Sequence, residues 1–166
     1  MSISFLFASD ATIEVIKKVD SLSGIAVEDS SEHQDKTFKL KFFKALIADL
    51  NVLSIFNVDR HYIESEYDTN IVDVRNKNMD YVLKYNIQAQ DNGFILDMKR
   101  IEDQEVVLSK KYKINDKAKH MFVAHTMAYD INDFMGQPSI EWIKKKVIFS
   151  RIVGPKRSEI VIADYT

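Results

Sequence analysis

The chain contains no cysteine. That removes a disulfide framework, a thiol nucleophile and every zinc site built on thiolates. It is silent on compartment, because a cysteine-free chain suits oxidising and reducing surroundings alike. Glycine occurs 4 times and proline 2 times. A phosphate-cradling loop needs more glycine in one place, and a complete β-propeller needs more turn formers. No apolar run approaches the roughly 18–20 residues of a membrane-spanning helix, so membrane insertion is not expected. Charge of one sign does not dominate either. With 23 basic and 25 acidic residues the net is −2, which argues against a uniformly basic nucleic-acid binder. What remains is 166 residues, 46% hydrophobic and 29% charged. This is a globular composition, and a chain of this size buries roughly 70% of its unfolded surface without a staple.

The charge is unevenly spread. Residues 1–140 carry 17 basic and 22 acidic side chains, whereas residues 141–166 carry 6 and 3. Lys144, Lys145, Lys146, Arg151, Lys156 and Arg157 make the tail basic. Such a run reads as a solvated face or as a contact surface for an anion. The opening, Met1 to Ala8, is apolar and ends in small residues like the end of a secretory h-region, but no basic residue precedes Lys17. It reads as a leader remnant, an apolar first strand or an artificial start, the first being preferred.

Periodicity supplies the elements. Residues 12–27 alternate Ile13, Val15, Val19, Ile25 and Val27 with polar neighbours, as short extended pieces broken around Ser21 to Gly24. Residues 28–36 have no apolar side chain and read as a loop, with Asp35 or Thr37 as cap of the next helix. Phe43, Leu46, Ile47, Leu50 and Leu53 mark a helix over 37–53, with Lys39, Lys41, Lys44 and Asp49 as its polar residues. Residues 54–59 read as a short strand and 73–77 as a short helix. Tyr81, Leu83, Tyr85 and Ile87 alternate with Val82, Lys84, Asn86 and Gln88 in a strand. Asn92-Gly93 is a preferred primed hairpin turn, and Phe94, Leu96 and Met98 return from it. Val106, Leu108, Tyr112 and Ile114 add a third strand with Lys110 interrupting its face, completing an antiparallel meander. Asn115 is a candidate cap for a second helix over 116–135, ended by Gly136 and Pro138. Residues 146–153 and 159–165 read as strands joined by 154–158, and the chain stops within the second, as a truncated protein would. The expected class is α+β: a mixed sheet with an antiparallel meander, two amphipathic helices packed on one face, and a carboxy-terminal strand pair.

Catalytic chemistry is poorly represented. His120 and His125 are five residues apart, about 140° around a helix, whereas zinc-binding helices use i, i+4. One is expected at solvent and the other at a helix edge or core margin. Asp130 and Asp133 share a face without an adjacent base and read as surface carboxylates. Ser30, Ser31, Glu32 and His33 hold nucleophile and base types, but in a loop with nothing to position them. The expectation is no enzyme, no metal and no cofactor.

Several stretches together resemble the amino-terminal domain of the TolB family of Tol-Pal envelope systems. Ala48-Asp49-Leu50, Phe56 and Asp59-Arg60 resemble its first helix and strand, and Met79-Asp80-Tyr81-Val82 its aspartate-led strand. Ala124-His125, Asp130 and Gly136 resemble its second helix. Val147-Ile148-Phe149 and Ile160 to Tyr165 are similar to the first strands of the propeller that follows. Asp10, Ile13, Val15, Val19, Asp20 and Ser21 match the segment that precedes the domain, and Ile25-Ala26-Val27 its first strand. Glu28-Asp29 departs from a frequent Val-Pro, and Gln137-Pro138 from a Gly-x-x-Gly pattern.

The resemblance implies a non-catalytic periplasmic scaffold. It divides the chain into residues 1–9 as a remnant, 10–21 as a mobile partner-binding segment, 22–140 as the α+β domain and 141–166 as the start of a propeller. By the same resemblance, Asp10, Ile13, Val15, Val19, Asp20 and Ser21 bind the carboxy-terminal domain of TolA, and Pal is reached only through the missing propeller. A terminal strand of this pattern also suits permanent pairing at its own sheet edge. The two last strands, lacking a blade, are expected to expose an edge and to permit self-association. The competing classes are a small nucleic-acid-binding α+β module using the basic tail, and an enzyme using His125 with Asp130.

Overall fold

A computed structural model describes residues 22–32, 35–68, 70–88, 93–114 and 119–163. In chain order they form β1 (Ser23–Asp29), α1 (Lys36–Leu53), β2 (Phe56–Val58), β3 (Ile63–Glu64), β4 (Tyr81–Ile87), β5 (Gly93–Arg100), β6 (Val106–Lys113), α2 (His120–Phe134), β7 (Val147–Gly154) and β8 (Arg157–Ala163). Single 3-10 turns occupy Val74–Asn76 and Glu141–Lys144.

Helix α1 starts where its side chains allow. Asp35 holds extended backbone and its Oδ1 accepts from the N–H groups of Thr37 and Phe38 at 2.9 and 3.1 Å. Asp35, not Thr37, is therefore the cap, satisfying two of the helix's unpartnered donors. The helix ends at Ser54, in the left-handed region at φ 56°, whose N–H donates to Asn51 O at 3.2 Å. Between the caps, Phe42, Phe43, Leu46, Ile47, Leu50 and Leu53 form the buried stripe. Asp73 caps the Val74–Asn76 turn in the same manner, through the N–H of Arg75.

The main sheet runs β2-β1-β4-β5-β6, with β3 joining β1 beyond β2. Strand β1 is parallel to β2, β3 and β4, while β4, β5 and β6 form the antiparallel meander. The sheet is mixed and the domain is α+β, as the periodicity indicates. Both helices cover one face. There Ile25, Val27, Leu83, Tyr85, Leu96 and Met98 meet the stripes of α1 and α2 in one apolar cluster. The first residues of the expected second helix, including Asn115, and the turn residue Asn92 lie outside the described residues; α2 is described from His120.

Two expectations change. Glu28 and Asp29 do not belong to a loop but end β1, and both are buried. Asp49 is not on a solvated helix face but is buried. In each case a polar partner from a distant element replaces water, which one-dimensional polarity does not register. Strands β7 and β8 pair only with each other, as a separate two-stranded sheet.

Candidate interaction surfaces

The residues expected to contact a partner, Asp10, Ile13, Val15, Val19, Asp20 and Ser21, lie outside the described residues. Just after them, Ser23 registers with Phe56, and the N–H of Gly24 donates to Asp80 Oδ2 at 2.6 Å.

The hairpin β7–β8 is an exposed surface. Its register sets Ile148 beside Ile162, Ser150 beside Ile160 and Ile152 beside Ser158 on one face. Ile152 is 83% exposed and Ile160 78%. Arg151 and Glu159 face each other on the opposite side, with Arg151 Nε donating to Glu159 Oε1 at 2.9 Å. The basic tail is thus partly engaged within the chain. Lys144 Nζ stands 3.5 Å from the centroid of the Tyr129 ring, and Lys146 Nζ 5.4 Å from that of Phe122. A second surface is a groove of about 450 Å³ beside α1, lined by Phe43, Ile47, Ala48 and Tyr62 together with Lys44 and Arg60.

The histidines are placed differently from expectation. His125 is sealed from water, and His120 is only partly exposed. His125 is fully buried, and its Nδ1 lies 2.8 Å from Asp49 Oδ2, a hydrogen bond that ties α2 to α1. His120 is half-buried, with its ring centroid 4.5 Å from that of Phe38 and 5.6 Å from that of Phe94. Asp130 accepts from the Tyr112 hydroxyl at 2.8 Å, so its carboxylate serves the α2–β6 contact. Burial, reinforced by that carboxylate, pushes the Tyr112 phenol above its ordinary value. Ser30 Oγ lies 3.0 Å from Ser65 Oγ, and Ser31 Oγ accepts from the Ile87 N–H at 3.1 Å. Both hydroxyls fasten backbone segments, and His33 lies outside the described residues. Among the described residues, no group of three or more histidines and carboxylates gathers as a metal site would require.

The sheet's second face holds what the sequence reading missed. Register aligns Glu28, Lys84, Asp97 and Ser109 in one row across four strands. Glu28 is 0% exposed and Lys84 2%, with Lys84 Nζ 3.2 Å from Glu28 Oε2. The segment between β3 and β4 lies over this row. Asn76 Nδ2 and the N–H of Asp73 donate to Glu28 Oε1 at 2.7 and 3.1 Å, and Lys84 Nζ donates to Glu66 O at 3.1 Å. The Tyr67 hydroxyl donates to Asp97 Oδ2. Nearby, the Tyr62 hydroxyl bridges Asp29 Oδ2 at 2.7 Å and Glu64 Oε1 at 2.8 Å. Burial first, then these two carboxylates, drive the Tyr62 phenol well above its usual range. The alternation of Lys84 and Asn86 marked a polar face, but it carried no sign that a distant segment would cover it.

These features define a class: a two-layer α+β domain, fastened by buried polar pairs and carrying an exposed β-hairpin. Comparison with known proteins gives the family. The chain is 36% identical over 172 residues to the Tol-Pal system protein TolB of Wolinella succinogenes, covering 100% of this chain and 40% of that protein. It is 32% identical to TolB of Helicobacter hepaticus, covering 97% and 39%. The crystal structure of TolB from Acinetobacter baumannii superposes with a TM-score of 0.56 at 13% identity, covering 86% of this chain and 36% of that one, which speaks to the fold. No family model matches the chain. The chain belongs to the TolB family and corresponds to its amino-terminal domain portion. It spans about two fifths of the length of the curated relatives it matches. Neither comparison supports the nucleic-acid alternative.

Proposed function

We propose that this domain is a non-catalytic, periplasmic interaction module of a Tol-Pal system, and that it binds the carboxy-terminal domain of TolA through residues 10–21. The carrying observation is the similarity to TolB proteins along the whole chain. The pattern of the segment supports it. Ile13 and Val15 alternate with polar residues, so an extended strand would present one apolar edge row while its backbone adds to an exposed sheet elsewhere. In this reading, the buried carboxylates and His125 are structural, each engaged by a neighbour from another element.

Titration calorimetry with the TolA carboxy-terminal domain tests it. Deleting residues 10–21 should abolish the binding heat, and unchanged affinity would refute the assignment. Residues 141–166 are read as the opening strands of a propeller, so tight binding of Pal by this chain would count against the division of roles. The hairpin's open edges favour self-association, which a concentration series in analytical ultracentrifugation checks.

A further inference from the structure

Residues 135–146 join α2 to the hairpin, and most of them are fastened to the body. The N–H of Gln137 donates to Asn132 O at 3.1 Å, and Asn132 Nδ2 donates to Pro138 O at 2.8 Å. Ile140 packs against the main core, and Ile143 is 0% exposed. The turn between them is closed by Ile143 N–H to Ile140 O at 2.9 Å and by Lys145 N–H to Trp142 O at 3.0 Å. The Lys144 ammonium then stands over the Tyr129 ring of α2. Past this point the fastening changes. Lys145 is extended, with φ −94° and ψ 151°, and Val147 already belongs to the hairpin ladder opposite Ala163. The side chains of Val147 to Val153 are exposed, so β7 is not packed into the body.

We infer that the connector up to Lys144 moves as part of α2, and that the pivot between body and hairpin is confined to Lys145–Lys146. A buried isoleucine, a side-chain clamp on a carbonyl and a cation over a ring all lie on the body side of that point. A swing starting earlier would have to withdraw Ile143 from the core. Rotation about Lys145 and Lys146 leaves every one of these contacts in place and gives up only the longer approach of Lys146 Nζ to the Phe122 ring, 5.4 Å from its centroid. The hairpin's orientation is thereby limited by two residues' backbone angles, and not by a long tether.

Nitrogen-15 relaxation on the full chain tests this. Amide order parameters through Lys144 should match those of α2, near ~0.85, with any fall toward ~0.6 starting at Lys145 or Lys146. A fall that already begins at Gly136 or Gln137, or anywhere before Lys144, overturns the inference. Ile143→Ser should shift the onset back toward Gln137 while leaving the amide shifts of β4 and β5 in place, and an unmoved onset overturns it. Should that variant fail to fold, Asn132→Ala combined with Lys144→Met must loosen residues 137–142 relative to the native chain. No change there overturns the inference equally.

Discussion

The two faces of the six-stranded sheet are both covered, by opposite chemistry. On one, Leu83, Leu96 and Met98 meet the helical stripes in an apolar layer. On the other, Glu28, Lys84 and Asp97 meet hydroxyl, amide and carbonyl groups of the segment between β3 and β4. The apolar layer is non-directional and stabilises in proportion to area removed from water. The polar layer is directional. Two buried charges offset their desolvation only when geometry and further hydrogen bonds are right, so the pair fixes where the covering segment lies more than it adds stability. Helices on the first face could shift slightly and still bury area. The segment on the second face has one position in which Asn76, Asp73 and Glu66 all reach their partners.

The largest expected effect is on the apolar face. Leu50→Ala, at a fully buried position in α1, should cost about 3–5 kcal/mol in urea unfolding. A cost near 1 kcal/mol would mean that this layer is loosely packed.

Next comes the polar face. Lys84→Met leaves Glu28 buried without its cationic partner, and should cost on the order of 3 kcal/mol. Adding Glu28→Gln removes the unpaired carboxyl while its amide carbonyl still accepts from Asn76 and Asp73. The double variant should regain at least half of the loss. If it is no better than Lys84→Met alone, the charges stabilise outright and the contrast between the faces fails.

The smallest effect concerns the edge of the polar cover. The Arg75 guanidinium, with its backbone N–H, holds the Asp73 carboxyl down at about 2. A depressed carboxyl contributes stability above its unfolded value near ~3.9, and that contribution is lost as pH falls through about 2. The side chain lies at the edge of the cover and is partly exposed, so the readout is its own titration followed by carboxyl carbon shifts. Arg75→Ala should return the midpoint toward the ordinary range. A midpoint still near 2 would assign the effect to the backbone bond alone.

These contrasts explain which parts of the fold were legible in the residues. The α1 stripe, the Tyr81–Ile87 alternation and the closing hairpin are local patterns, repeated every three to four or every two residues, and each element forms close to where its pattern lies. Asp35 was one of two candidate caps because capping is itself local. Asp49, Glu28 and Asp29 misled for one reason. A carboxylate reads as solvated unless its partner is visible, and the partners His125, Lys84 and Tyr62 stand 76, 56 and 33 residues away. The expected partner-binding residues were legible only through family resemblance, since alternating Ile13 and Val15 suit a paired edge as well as a bound one.

The sequence by itself determined the composition of a cysteine-free α+β domain, the order of its helices and meander, and the family to which it belongs. Local periodicity and resemblance are written along the chain and need no third dimension. Only the tertiary structure decided that β1 lies between β2 and β4, that a polar segment closes the second face, and that the connector is fastened as far as Lys144. Those outcomes depend on pairing between residues far apart in the chain. Burying a charge or a connector is favourable only once the particular partner that replaces water has been brought into place.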